Sequence, residues 1–144
     1  MRKTQRIGVY GLCYYNGKIV AIKKKRGPFI GKLDLPGGKI EHGELHFESL
    51  KRELEEELGL TQKDFEIGNI LGVWETFSQH TWKDEKLDQH IIAIVYEVDI
   101  FRIDLNFIED GGDSEKIFLI EKNDETFEKT DIFQKVLQKH NLLF

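Results

Sequence analysis

The order of local signals along the chain predicts an α/β sandwich, with helices covering both sides of a mixed sheet. Short apolar runs bounded by glycine and asparagine turns outnumber helical segments. The strongest amphipathic helical stretch sits among those strands rather than at one end. At 144 residues, 40% of them apolar and with ten phenylalanines, the chain can bury one sizeable core, so residues 1–144 are expected to form a single domain.

The elements follow in order. Residues 7–15 read as a mostly apolar strand with both faces covered. Asn16-Gly17 is a two-residue hairpin signal, and residues 19–22 form the return strand. The basic run Lys23, Lys24, Lys25 and Arg26 leads into a loop over residues 27–32. A short strand at 33–35 runs into Pro36-Gly37-Gly38, an irregular turn whose bare backbone can approach a ligand closely. From about Leu45, the spacing of Phe47, Leu50, Leu54 and Leu58 marks the buried stripe of a helix that Gly59 closes. Residues 65–77 read as one or two strands, 78–89 as a polar loop, and 90–100 as the central buried strand. The alternation changes phase between Ile100 and Phe101, which predicts a bulge or turn before a further strand at 101–107. An acidic glycine loop (109–116) and a short strand (117–120) follow. Asp124 is the expected cap of a last helix whose apolar face carries Phe133, Val136, Leu137 and His140.

Composition narrows the function classes. A net charge of −5 argues against a surface built to bind duplex DNA. One cysteine excludes an internal disulfide framework and fits a reducing, cytoplasmic setting, with Cys13 read as a small buried hydrophobe. No apolar run approaches membrane-spanning length, and the start reads as strand and hairpin rather than a signal peptide.

The most informative segment lies between Gly38 and Leu60. It gathers Glu41, Glu44, Glu48, Glu53, Glu55, Glu56 and Glu57. At about 100° per residue, Glu53, Glu56 and Glu57 share a helix face beside the apolar stripe. Carboxylates concentrated there repel one another, and a magnesium ion bridging them to a phosphate would offset that charge. Gly38, Glu44, Arg52, Glu53, Leu54, Glu56, Glu57, Gly59 and Leu60 fill every specified place of the signature of the Nudix (MutT-type) hydrolases, which the chain therefore resembles. Chance would produce such a match at ~10⁻⁹ per window.

The resemblance implies an α/β/α sandwich and hydrolysis of a nucleoside diphosphate linked to another group, with Mg2+ or Mn2+ as cofactor. It implies Glu53, Glu56 and Glu57 as metal ligands with the Gly37 backbone carbonyl, Arg52 as the group that orients Glu53, and Glu44 in an assisting role. Glu53 is the favoured general base. Relatives also use a carboxylate outside this box, for which Glu97, Asp110, Asp113 and Glu115 are candidates. Lys39, beside the glycine turn, and Arg26 are candidate phosphate contacts. Tyr10, Phe29, Phe77 and Trp82 are candidates to stack a base.

The substrate is expected to be a small nucleotide. The downstream proline linked with ADP-ribose hydrolases is missing, with Glu75 standing about where it would be. Phe77 stands near the place of the tyrosine associated with dinucleoside polyphosphate hydrolases. Elimination leaves a nucleoside triphosphate or its oxidised form as the leading class. The alternatives are a nucleotide-sensing regulatory module and an RNA 5′ pyrophosphohydrolase, the latter thinly supported by the basic run at 23–26.

Overall fold

A computed structural model describes the backbone of residues 1–111 and 114–142, and the side chains of residues 1–111 and 116–140. Among the described residues there are seven strands and two helices: β1 (Arg2–Tyr15), β2 (Lys18–Lys24), β3 (Leu33–Asp34), β4 (Gly37–Lys39), α1 (His46–Leu58), β5 (Phe65–Trp82), β6 (Glu85–Ile100), β7 (Ser114–Ile120) and α2 (Asp131–Leu142). They build one seven-stranded sheet in the order β3-β2-β1-β6-β5, with β4 also on β1 and β7 also on β2. The sheet is mixed: β1 runs parallel to β6, whereas β2, β4 and β5 pair antiparallel with their neighbours.

The alternation of β1 sorts its side chains into two layers. Val9 and Cys13 join Val20, Ile22 and Val98 under Leu50, Leu54 and Leu58 of α1. Tyr10 and Leu12 join Ile19, Ala21, Ala93 and Val95 under Ile132, Phe133, Val136 and Leu137 of α2. The sandwich is therefore α/β/α, as the order of elements predicts. Helix α1 ends at Gly59 in the left-handed conformation (φ 68°), and its N–H closes on the Glu55 carbonyl. Burial pushes the Cys13 thiol well above its ordinary range, as befits a small core residue.

Several expectations are corrected. Residues 78–89 are not a loop: β5 and β6 form a long hairpin through Lys83 and Asp84, both at positive φ (48° and 65°). Its outer end is mostly polar, with Leu87 the one buried side chain among residues 78–89, so it lacks the apolar alternation that marks a half-buried strand. Residues 101–107 are turn and irregular backbone, with the Phe101 N–H on the Asp64 carbonyl and the Phe107 ring over Gly59. Bulges occur instead within β5, flanking Ile70. Gly37 and Gly38 belong to a short strand, β4, though Gly37 keeps the unusual φ of 143°. Phe47 is 39% exposed, lying edge-on to Tyr96 with Lys51 over its ring, so the buried stripe of α1 begins at Leu50. Asp124 does not cap the last helix. It accepts from the Phe127 N–H and from buried Lys129, while the Thr130 hydroxyl accepts from the Phe133 N–H at the helix start.

Leu54 is fully buried between α1 and the sheet. Leu54→Ala should therefore cost ~2–5 kcal/mol through cavity formation, read as a lower denaturant midpoint at unchanged slope. A wild-type midpoint would mean that α1 is seated differently.

Candidate active site

Strand β4 brings the glycine turn against α1, and the acidic helix face meets bare backbone there. A Cβ on Gly38 would lie 2.7 Å from the Glu53 carboxylate, and one on Gly37 would run into the Val9 carbonyl and the Tyr10 backbone. Only glycine allows this approach. The Gly37 N–H donates to Glu57 Oε1 at 2.9 Å, which satisfies a carboxylate that is only 5% exposed.

Arg52 organises the rest. Its Nε and Nη2 donate to the two oxygens of Glu44 at 2.8 and 3.0 Å. Nη1 donates to Glu53 Oε1 at 3.0 Å and to Glu56 Oε2 at 3.2 Å. A longer contact, 3.3 Å, runs from Nη2 to the Lys39 carbonyl and ties the guanidinium to β4. One cation thus holds three glutamates, one of them in the bidentate geometry peculiar to arginine. Glu44 also accepts the Glu41 N–H at 3.0 Å. The Arg52 contact, helped by that N–H, holds the Glu44 carboxyl down at about 2. Glu53 shifts the other way: burial raises it most, Arg52 partly opposes this, and Glu56 and Glu109 raise it further.

The donor set suits a hard divalent cation, since it consists of carboxylate oxygens on a rigid helix beside glycine backbone that carries no side chain. Among the described residues, however, no three acidic, histidine or cysteine side chains converge into a ready-made cation site. Arg52 and the Gly37 N–H hold the carboxylates instead.

Of the candidates outside the box, Glu97 lies on the α2 side of the sheet, where it adds negative potential to Tyr14 and His140. Its neighbours Tyr96 and Val98 face α1, so alternation keeps Glu97 apart from Glu53, Glu56 and Glu57. Asp113 lies outside the described residues, as does the side chain of Glu115. Among the described residues outside the box, Glu109 adds negative charge at Glu53, and its local sequence did not single it out. Nothing in its local pattern distinguishes it from Asp110; only the fold of residues 101–111 does.

A second feature lies on the α2 side of β1: a cavity of about 290 Å³ lined by Arg6, Tyr10, Lys24, Arg26, Phe29 and Asp34, with His80, Trp82 and Gln89 from the β5–β6 hairpin. Four of the proposed contacts, Arg26, Tyr10, Phe29 and Trp82, meet here. Lys39 does not line this cavity, and Phe77 lies on the opposite sheet face, 69% exposed and stacked on His90. Arg6 and Gln89 were not foreseen, because their place in the cavity depends on the parallel register of β1 and β6. Tyr10 connects the two regions. It lines the cavity, yet feels the charges of Glu53 and Glu57.

A family model described as "NUDIX domain" matches residues 3–131. The ADP-ribose pyrophosphatase of Methanocaldococcus jannaschii is 34% identical over 109 residues, covering 76% of this chain and 59% of that protein. The putative 8-oxo-dGTP diphosphatase 2 of Mycobacterium tuberculosis is 41% identical over 54 residues, 38% of each chain. The chain thus spans well under two thirds of the length of these curated relatives. The crystal structure of a MutT NUDIX hydrolase from Burkholderia pseudomallei superposes with a TM-score of 0.65 at 23% identity, over 93% of this chain and 96% of that one.

The Glu44 carboxyl, about 2 in the folded protein against an ordinary 4.5, makes stability depend on pH. The unfolded chain takes up the proton first, so this contribution is complete above about pH 4.5 and lost as pH falls through about 2. Urea denaturation across that window should show a shallower slope for Glu44→Gln than for wild type. Asp64, Asp124 and Asp131 are also held low, so some slope remains. An unchanged slope would mean that the Glu44–Arg52 pair does not form in solution.

Proposed function

Because this chain belongs to the NUDIX domain family, we propose that it hydrolyses a pyrophosphate bond in a nucleoside diphosphate derivative, with a divalent metal as cofactor. The observation that carries the reading is the Arg52 clamp, which gathers Glu44, Glu53 and Glu56 against a strand of bare glycine backbone. Glu53, Glu56 and Glu57, with the Gly37 carbonyl, would hold magnesium or manganese. Such an ion, when bound, lowers the pKa of a coordinated water and offsets pyrophosphate charge.

The remaining roles fall to the chain. Glu53, raised by burial and by neighbouring acid, receives the proton of the attacking water. Arg52 is a positioning residue, since its Nη1 holds Glu53. Glu57, fastened to the Gly37 N–H, keeps its carboxylate at the glycine strand. Glu109 stands near enough to add charge at Glu53, which supports it as the further carboxylate over Glu97. Lys39, exposed on β4, is the candidate phosphate contact on that side, and Arg26 remains a second candidate.

For the substrate, a nucleoside triphosphate or its oxidised form remains the leading class. The M. jannaschii relative carries the name ADP-ribose pyrophosphatase, so ADP-ribose is the rival to test, although the proline linked with such hydrolases is absent here. Among the described residues no helix is long and apolar enough to cross a membrane.

A nucleotide panel that includes nucleoside triphosphates and ADP-ribose should give turnover with magnesium or manganese and none in excess chelator. Glu56→Gln and Glu57→Gln should each lower kcat by orders of magnitude while the protein stays folded. Gly38→Ala should behave similarly, because its new methyl group meets the flexible end of Glu53 rather than backbone. Full turnover in chelator, or wild-type rates in both glutamine variants, would overturn the reading.

A further inference from the structure

The cavity on the α2 side of β1 is small, about 290 Å³, which suits a base with its sugar rather than a whole dinucleotide. Its wall is rich in hydrogen-bond donors. Lys24 and Arg26 line it at one side and Arg6 at another. Its one carboxylate is largely engaged: Asp34 Oδ1 accepts the Leu35 N–H and the Thr130 hydroxyl, and Oδ2 lies 3.9 Å from Lys24. Arg6 has the opposite standing. Its Nε is buried from solvent and has no hydrogen-bond partner among the described residues. An unsatisfied buried donor is costly, and here it belongs to a permanently charged group beside an open space.

The surroundings of Arg6 narrow what could satisfy it. The β1–β6 register sets Ile91 beside it, Tyr10 follows beyond Gly8 on the same face, and Leu87 and Trp82 complete an apolar and aromatic border. A dianionic phosphate would lose much hydration among such walls, whereas a flat ring with carbonyl and ring-nitrogen acceptors would not. Gln89, from the neighbouring strand, lines the same space. Arginine recognises the paired O6 and N7 acceptors of a 6-oxopurine, while the exocyclic amine of adenine presents a donor to a donor.

We infer that Arg6 is a specificity-determining residue: the cavity holds the substrate's base, and Arg6 selects a 6-oxopurine over adenine. This rests on the nucleotide hydrolase reading above, and deepens it by naming the base class. It also opposes the adenine nucleotide that similarity to an ADP-ribose pyrophosphatase would suggest.

The test uses inosine and adenosine nucleotides, which differ at the atoms Arg6 would read. Calorimetry without metal should show IMP binding more tightly than AMP by ~5- to 150-fold. The ratio of kcat/KM for ITP over ATP, measured with magnesium, should favour ITP to a similar degree. Arg6→Met should bring both ratios near unity, Arg6→Lys should restore part of the preference, and Arg6→Gln should move it toward adenine. Trp82→Ala should weaken both nucleotides alike. Should Arg6→Met fail to fold, the lysine and glutamine variants carry the comparison. Equal handling of inosine and adenosine by wild type, or a preference that survives in Arg6→Gln, overturns the inference while leaving the hydrolase intact. If ribose 5-phosphate binds as tightly as IMP and is lost in the Arg6 variants, Arg6 reads phosphate and the inference is wrong. Selective binding without turnover of any nucleotide would instead remove the hydrolase reading and keep Arg6 as the selector. Neither binding nor turnover would remove both.

Discussion

Helix α1 exists in this form because one guanidinium sits among its acids. Glu53, Glu56 and Glu57 lie within a turn of each other and would repel if left alone. Arg52 answers Glu53 and Glu56 from within the helix and reaches back to Glu44, which precedes the helix in the chain. That backward contact matters for the helix start as well. Leu45, at the N-cap, offers no side-chain oxygen to the free N–H groups, so capping does not fix the entry of the chain. The Glu44–Arg52 pair and the Glu41–Glu44 contact do so instead. The same guanidinium touches the Lys39 carbonyl, and the helix is thereby joined to β4 on its polar side while Leu50, Leu54 and Leu58 join it to the sheet below.

The clamp works only because β4 has no side chains in the way. A methyl group at Gly38 would occupy the space of the Glu53 carboxylate, and at Gly37 it would meet the backbone of β1. The two glycines thus have different reasons. Gly37 is required by backbone packing and by its φ of 143°, so any replacement disturbs the pairing of β4 with β1. Gly38 is required by a side chain that can move, so its replacement disturbs the site more than the sheet.

This contrast also explains what could be read from the sequence. The acidic helix, its glycine ending and the Asn16-Gly17 hairpin are local, with their reasons lying within a few residues, and all three are where the pattern puts them. The covering of both sheet faces was legible in residues 7–15 and 90–100, whose runs are apolar on both faces, and each face has its own apolar layer. Failures occurred where tertiary context decides. The outer part of the β5–β6 hairpin is mostly polar, and its strands are held by backbone pairing that no side-chain pattern records. Phe101 and Phe107 suggested a strand, but the segment is used to cover Gly59 and Asp64 at the end of α1. Glu109 and Arg6 acquire their positions from chain segments far away in sequence, so nothing beside them could have singled them out.

Strand β1 separates the two halves of the site and also connects them. On the α1 side its residue Val9 backs the acid cluster through β4, and on the α2 side Arg6 and Tyr10 line the cavity. The pleat makes this division unavoidable, because adjacent residues of one strand must serve opposite layers. On the reading proposed above, chemistry and recognition are built from different residues that share a backbone. Tyr10 sits at the crossing, within the fields of Arg6 and Asp34 on one side and of Glu53 and Glu57 on the other, and burial raises its hydroxyl so that it stays protonated. A substrate with its base in the cavity and its phosphates at the glutamates would, on that reading, lie along β1 near Tyr10. On this arrangement, changes of cavity side chains alter which base is accepted without disturbing the Arg52 clamp. A change at the glycines would affect every substrate alike, because the phosphates of all of them would lie at the same glutamates.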